Sequence, residues 1–474
     1  MDITCVHQDQ TEERCFPLRL VLLSGGTGKR LWPLSNESRS KQFLKTIRTP
    51  DDEMESMIQR IWKQLKTKKM DHSAYISTSK TQVDMITSQL GSNVPLIIEP
   101  ERRDTYPAIA LAATYFYSKQ GVDLNEVIVV MPVDPYTDYQ FFDKVKELED
   151  AIRQSDADIA LIGVQPTSPS EKYGYIIPVQ NTLKTSEGYI PVDSFTEKPS
   201  KDEAAKLLRQ NALWNCGVFS FRLGYLIQLL EEKKLPVEFD ELVEKYDQLP
   251  KISFDYEVVE KADRVVAIPY HGTWRDLGTW DTLTADIQTK VIGKGIISDD
   301  SSNTHVVNEL DIPIAVVGVP NVVVAASPDG ILVSEKSESH RVKDLVKKID
   351  QRPMFEERRW GWYRVLDYQT RTDGTDILTK RLCLYAGKNL SYQYHQMRSE
   401  VWTIVAGIGE FVLNDRLIRV KAGDVVRIPV HAKHAIKAIE ELEIIEIQMG
   451  TRLVEEDIVR LFMSWDDLLD SLRQ

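Results

Sequence analysis

From Leu18 to about residue 285, apolar runs of strand length alternate with helical patterns. LRLVLL, VIVVMPVD and IALIGV are too short to be buried helices, whereas ESMIQRIWKQL and FFDKVKELEDAI place apolar residues three and four apart. The alternation predicts an α/β unit, a largely parallel sheet with helices on both faces. Ligands of such sheets sit beyond the carboxyl ends of the strands, so chemistry is sought just after the apolar runs.

Between 286 and 350 the texture changes. IPIAVVG, NVVVAAS and GILVSE are short β pieces separated by Pro-Asn and Asp-Gly turns, followed by the basic helical stretch RVKDLVKKID. This segment reads as a connector. After it, KRLCLYA, VWTIVAG, GEFVLN, RLIRVKAG, DVVRIP and LEIIEIQM alternate in the manner of short strands with Gly and Asn-Asp turns, predicting a small antiparallel barrel or jelly roll over 351–474. The expected division is thus a polar tail at 1–15, an α/β domain at 16–285, the connector at 286–350 and the barrel at 351–474.

Composition narrows the partners. The 474 residues exceed one core, and 59 Lys+Arg against 72 Asp+Glu give a net charge of −13, the wrong sign for binding bulk nucleic acid or an anionic membrane surface. Any polyanionic ligand must be held by a local constellation. Cys5, Cys15, Cys216 and Cys383 have no disulfide or zinc-ribbon spacing, and the opening MDITCVHQDQTEERC lacks the apolar core of a signal peptide. A cytoplasmic protein is expected, with homo-oligomerisation as a base-rate expectation.

The first candidate site follows LRLVLL: Ser24-Gly25-Gly26-Thr27-Gly28-Lys29-Arg30-Leu31-Trp32-Pro33. Glycines let backbone N–H groups approach phosphates, and Lys29 and Arg30 supply charge. The pattern lacks G-x-x-x-x-G-K-[ST], and Leu31 stands where a dinucleotide fingerprint has its third glycine. Asp134 ends VIVVMPVD, and Asp276 sits in Trp274-Arg275-Asp276-Leu277-Gly278-Thr279-Trp280. Singly, either is ordinarily a cap or turn residue; together, carboxylates at strand ends suit Mg²⁺ held against a triphosphate.

With these motifs in this order, the chain resembles the sugar nucleotidyltransferases, and within them the bacterial mannose-1-phosphate guanylyltransferases with a fused isomerase-type domain. The family's G-G-x-G-T-R-L-W-P-L-S and P-K-Q-F-L correspond to Gly25–Ser35 and Ser40-Lys41-Gln42-Phe43-Leu44. The resemblance implies a Rossmann-like, GT-A-like domain, a β-helix-like connector and a C-terminal cupin. It implies Arg30 and Lys41 as triphosphate contacts and Asp134 and Asp276 as the Mg²⁺ ligands. The family's E-P-x-x-R-N-T-A-P-A appears as Glu99-Pro100-Glu101-Arg102-Arg103-Asp104-Thr105-Tyr106-Pro107-Ala108, which implies Glu99, Arg103, Asp104 and Thr105 as nucleotide contacts. Asp104 replaces the family's Asn and loses an amide donor. On the sugar-phosphate side, Y-G-Y-I, F-V-E-K-P and W-N-S-G-x-F fall on Tyr173, Gly174, Glu197, Lys198 and Asn215. The reaction needs no covalent protein nucleophile, so Cys216 reads as a packing residue.

Near the C-terminus, Gln393-Tyr394-His395-Gln396-Met397-Arg398-Ser399-Glu400 and Pro429-Val430-His431-Ala432-Lys433-His434 resemble the cupin motifs of type II phosphomannose isomerases. His395, Glu400 and His434 match the family's metal ligands; Met397 stands at the position of a second His, and the amide oxygen of Gln393 is the candidate to complete the set. The departures predict a structural or ligand-sensing barrel rather than an active isomerase. The implied reaction is GTP plus mannose 1-phosphate to GDP-mannose and diphosphate. Three alternatives stay open: another NTP or sugar 1-phosphate, an added isomerase activity, and a non-catalytic sugar-nucleotide sensor.

Overall fold

The computed structural model describes residues 18–26, 28–36, 38–180, 188–286, 289–349, 351–454 and 457–473. Thr27 and the 1–15 tail, with Cys5 and Cys15, lie outside the described residues.

The α/β domain is built on a nine-stranded sheet. Its strands in chain order are β1 (Arg19–Leu23), β2 (Ala74–Ser79), β3 (Leu96–Glu99), β4 (Val127–Pro132), β6 (Ile159–Val164), β7 (Tyr175–Pro178), β8 (Ile190–Thr196), β9 (Leu213–Arg222) and β10 (Val265–Tyr270), arranged β3-β2-β1-β4-β9-β6-β10-β8-β7. A separate two-stranded ribbon pairs β5 (Pro135–Thr137) with β11 (Trp274–Asp276). Strand periodicity explains the two cores. Leu20, Leu22, Val127, Val129 and Met131 enter one layer, while Val21, Ile128 and Val130 enter the other.

The sheet is less parallel than the sequence pattern predicts. β1, β2, β3 and β4 run parallel, as do β6 and β10, but β9 is antiparallel to both β4 and β6, and β7 and β8 pair antiparallel. Apolar period reports a strand and not its direction. Direction is set by the connection, and the 11 residues 179–189 that join β7 to β8 are fewer than the dozen or more a parallel crossover requires.

The predicted helices are present as α1 (Met57–Thr67) and, among the later ones, Phe141–Gln154. Ser56 starts α1 with a reciprocal cap: its Oγ accepts from the Gln59 N–H at 3.3 Å, and Gln59 Oε1 accepts from the Ser56 N–H at 3.0 Å. No described helix is long and apolar enough to cross a membrane.

In the connector, Val291–Ile292, His305–Asn308 and Val322–Ser327 stack as parallel rungs, as do Gly295–Ile297 and Ile314–Val316. A shared cluster of Leu31, Leu34, Leu44, Trp280, Val307 and Val323 seals these rungs against the α/β domain. The barrel packs a six-stranded sheet against a five-stranded one, all pairings antiparallel, around Trp402, Phe411, Ile404 and Leu442.

Candidate functional site

Two parallel strands deliver the glycine loop and the first carboxylate to one edge of the sheet. β1 and β4 are neighbours, with Leu23 opposite Pro132, so the loop after β1 and Asp134 after β4 emerge side by side. The β5–β11 ribbon supplies the second carboxylate. Its register sets Asp276 opposite Pro135, next in sequence to Asp134. Asp138 pins this ribbon, accepting from the Tyr270 hydroxyl at 2.6 Å and the Thr273 N–H at 2.9 Å.

Lys41 closes the cluster. Its Nζ lies 2.6 Å from Asp134 Oδ2 and 3.1 Å from Asp276 Oδ1. Burial alone would lower the Lys41 pKa, but the two carboxylates outweigh it and hold the ammonium above its ordinary value. Asp276 moves the other way: burial opposes ionisation, yet Lys41, then Arg30 and Lys172, keep its pKa below the usual range. The carboxylate pair thus converges on a cation. Arg30 is exposed beside this cluster, whereas Lys29 lines a separate cavity against the connector with Asn36, Asp329 and Lys347.

Under the loop sits Glu99, at the end of β3. A Cβ on Gly25 would lie 3.2 Å from Glu99 Oε1, and the Tyr246 hydroxyl donates to Oε2 at 3.0 Å. Burial pushes its pKa up to about 7, against the Tyr246 hydrogen bond and the Arg102 charge. Glu99 therefore keeps a proton in the native state that the unfolded chain releases near 4.5, and stability falls as pH rises from about 4.5 to about 7. The cost is on the order of 3 kcal/mol at full ionisation. Glu99→Gln should remove this slope. Urea midpoints of wild type and variant that keep a constant difference across the window would refute it.

Three other loop candidates are engaged within the protein. Arg103 Nε donates to the Leu249 carbonyl at 3.0 Å and its guanidinium pairs with Glu101. Asp104, at φ +71°, caps the helix Thr105–Thr114 through the Thr105 N–H at 2.8 Å. Thr105 Oγ1 accepts from the Phe254 N–H at 2.8 Å.

A second polar pole gathers the remaining candidates. The Asn215 N–H donates to the Gly174 carbonyl at 2.8 Å, and Asn215 Nδ2 donates to Asp255 Oδ1 at 2.6 Å. Glu197 pairs with Lys198 through Oε1, while its buried Oε2 has no hydrogen-bond partner among the described residues. Tyr173 links the two poles. Its ring packs on Trp214 and Trp274, and burial, then the Asp276 charge, push its hydroxyl up to about 12. Cys216 is buried, donates to the Ile162 carbonyl at 3.2 Å and is pushed by burial to about 12, an inert thiol.

Sequence reasoning missed Asp255, Tyr246 and Lys172. Lys172 directly precedes the Tyr-Gly-Tyr motif and could have been included; Asp255 and Tyr246 sit on helical turns with no local signal and meet the site only through tertiary packing.

In the barrel, His395 and His434 project from paired strands of one sheet and Glu400 from the other. Candidate ligand atoms of the three lie within 4.8 Å of one another. The His434 Nδ1–H donates to the Ala432 carbonyl at 3.0 Å, which fixes the tautomer and leaves the Nε2 lone pair toward Glu400. Burial lowers the His434 pKa despite Glu400, favouring the neutral ring a metal requires. His395 Nε2 lies 3.2 Å from Glu400 Oε1, while His395 Nδ1 and His434 Nε2 have no hydrogen-bond partner among the described residues. Glu400 also accepts from Arg398 Nε at 2.9 Å and Trp402 Nε1 at 3.1 Å. Gln393 faces the same interior, its Oε1 accepting from Ser391 Oγ at 2.7 Å, while Met397 is exposed.

A strand-to-glycine-loop edge carrying two convergent carboxylates defines a phosphate-handling α/β enzyme. The chain belongs to the nucleotidyl transferase family, whose model matches residues 19–291. Residues 296–349 match the MannoseP isomerase/GMP-like beta-helix domain, and residues 347–462 the mannose-6-phosphate isomerase C-terminal family. Similar relatives include a mannose-1-phosphate guanylyltransferase of Sinorhizobium fredii, 30% identical over 93% of this chain and 90% of the relative. The xanthan biosynthesis protein XanB of Xanthomonas campestris is 30% identical over 93% of this chain and 97% of its own. A solved structure described as a mannose-1-phosphate geranyltransferase from Thermus thermophilus superposes with a TM-score of 0.59 at 27% identity, covering 70% of this chain and 99% of that one.

Proposed function

We propose that this chain is a mannose-1-phosphate guanylyltransferase, transferring GMP from GTP to mannose 1-phosphate with release of diphosphate. The observation that carries the reading is the convergence of Asp134 and Asp276 on Lys41 beside the glycine loop. The guanylyltransferase relatives, matched over nearly their whole length, support the substrate pair.

Asp134 and Asp276 present hard oxygen ligands around a point already held by an ammonium, and so suit Mg²⁺. Bound there, the ion would neutralise triphosphate charge. Lys41 supplies positive charge to the triphosphate from between the carboxylates, and Arg30 with the loop N–H groups cradles the diphosphate being expelled. Lys198 neutralises the sugar phosphate, Glu197 and Asn215 bind sugar hydroxyls, and Tyr173 spans the two poles. A sugar phosphate oxygen attacks the α-phosphorus in line, so the protein's work is positioning and charge balance. Glu99, below Gly25, supports the nucleotide-binding loop.

The test is diphosphate release with Mg²⁺, each of four NTPs and a panel of sugar 1-phosphates. Preference for GTP with mannose 1-phosphate is expected. Another preferred pair would move the specificity, and silence throughout would sink the enzyme reading.

For the barrel, the imidazoles of His395 and His434 converging with Glu400 fit a divalent transition metal, with Gln393 as a further oxygen donor. With Met397 outside the cluster, the barrel serves as scaffold or sensor rather than isomerase. About one equivalent of transition metal per chain is expected by elemental analysis, falling at least ~10-fold in His434→Ala. Equal metal content in wild type and variant would remove this assignment.

A further inference from the structure

The segment that joins the glycine loop to Lys41 is held from outside the α/β domain. In the connector, Val322–Ser327 and Gly330–Glu335 pair as an antiparallel hairpin whose turn is Pro328-Asp329. At the start of that turn the Ser327 hydroxyl donates to the Pro33 carbonyl at 2.6 Å. At its end, a Cβ on Gly330, at φ +150°, would stand 2.5 Å from Trp32 Cζ2, so the turn lies directly on the ring two residues past Arg30.

Asp329 is the sharpest observation. It is buried, and each of its carboxylate oxygens serves a different domain. Oδ2 accepts from Asn36 Nδ2 of the α/β domain at 2.7 Å, and Oδ1 from the Met354 N–H, at the entry to the barrel, at 2.6 Å. Burial raises its pKa above the ordinary carboxylate value although both donors and the Arg39 charge oppose it. Burying a carboxylate costs stability, and its two charge-assisted hydrogen bonds offset that cost while fixing three domains relative to one another.

Asn36 passes this hold along its own loop. Its Oδ1 accepts from the Ser38 N–H at 3.0 Å and the Arg39 N–H at 2.7 Å. Arg39 in turn donates from both terminal nitrogens to Glu309 of the connector, each at 2.8 Å. Ser40 and Lys41 follow at once, and the Lys41 backbone nitrogen is the atom that a Cβ on Gly28 would meet at 2.5 Å. A shift of Asn36 therefore carries with it both the glycine loop and the ammonium between the two carboxylates.

We propose, resting on the guanylyltransferase reading, that Asp329 is a positioning residue for nucleotide binding, holding the Asn36–Lys41 segment and the glycine loop in register with the connector and the barrel entry. It acts through Asn36 and touches no substrate. A loop ordered in advance loses less conformational entropy when the triphosphate binds. The connector and the barrel thereby take part in the transfer without any ligand of their own.

Exchanging the two partners on the full chain tests the link. Asp329→Asn sets one amide NH₂ against another, and Asn36→Asp sets two carboxylates at hydrogen-bond distance. Combining both substitutions restores one donor facing one acceptor and keeps an oxygen for the Ser38 and Arg39 N–H groups and another for Met354. Calorimetry with Mg²⁺-GTP, steady-state kinetics and thermal unfolding are read together. Each single variant is expected to weaken Mg²⁺-GTP binding and to lower kcat/KM for GTP roughly 10- to 100-fold, with the KM for mannose 1-phosphate within about twofold of wild type. The double variant should return to within about threefold of wild type. A merely structural role would lower the unfolding midpoint and leave the GTP affinity of the folded protein where it was. Should a single variant fail to fold, Ser327→Ala, which deletes only the hydroxyl on the Pro33 carbonyl, should weaken Mg²⁺-GTP binding about threefold or more. Wild-type GTP affinity in the folded variants, or a double variant as defective as the single ones, would overturn the positioning role. A wild type that neither binds nor turns over GTP would instead overturn the guanylyltransferase reading beneath it.

Discussion

Asp134→Ala is expected to lower diphosphate release at least ~10³-fold with little change in the unfolding midpoint. Its side chain is 30% exposed, and its one described side-chain partner is the Lys41 ammonium at 2.6 Å, so truncation removes little packing. What is lost is half of the cation-holding pair. Lys41 would keep only Asp276, at 3.1 Å, and a bound cation would have one carboxylate where the native site offers two. Asp276→Asn should show a similar defect, and the double variant should be hardly worse than either single one, because groups acting as a unit are non-additive. Turnover of Asp134→Ala within tenfold of wild type would remove the two-carboxylate mechanism.

Gly28→Ala is expected to lower kcat/KM for GTP about 10²-fold and to cost about 2 kcal/mol of stability. Gly28 holds φ +60°, and a Cβ there would stand 2.5 Å from the Lys41 backbone nitrogen. The left-handed conformation alone costs an alanine roughly 1–2 kcal/mol. The neighbour is backbone, so relief requires moving either the loop or the segment carrying Lys41, and a displacement of about 1 Å at such a site is worth about 10²-fold. Steady-state kinetics with GTP and thermal unfolding check both halves. Wild-type kcat/KM would show that the loop and the Lys41 segment are not held in register.

The candidate catalytic edge is legible because its chemistry is local in sequence. The glycine loop follows an apolar strand, and Asp134 ends another, so the rule that ligands gather at strand ends places both. Asp276 was recognised from its Trp-rich motif, but its meeting with Asp134 depends on the β5–β11 register. Arg103 and Thr105 illustrate the reverse. Their residue types suit nucleotide contacts, yet the described partners of their side chains are Leu249, Glu101 and Phe254.

The succession of an α/β domain, a β-rich connector and a barrel was readable from residue pattern, because hydrophobic period and turn residues are local properties. The same pattern also picked out the glycine loop, the strand-end carboxylates and the barrel histidines, since those depend on residue type and spacing. Strand direction in the mixed sheet, the Lys41 bridge and the Glu99–Tyr246 pair came from three-dimensional packing alone. Tyr246 and Glu99 lie 147 positions apart, and Lys41 and Asp276 235 positions apart. Such encounters follow from how layers pack and how far a chain must travel to close on itself, which no window of local pattern contains.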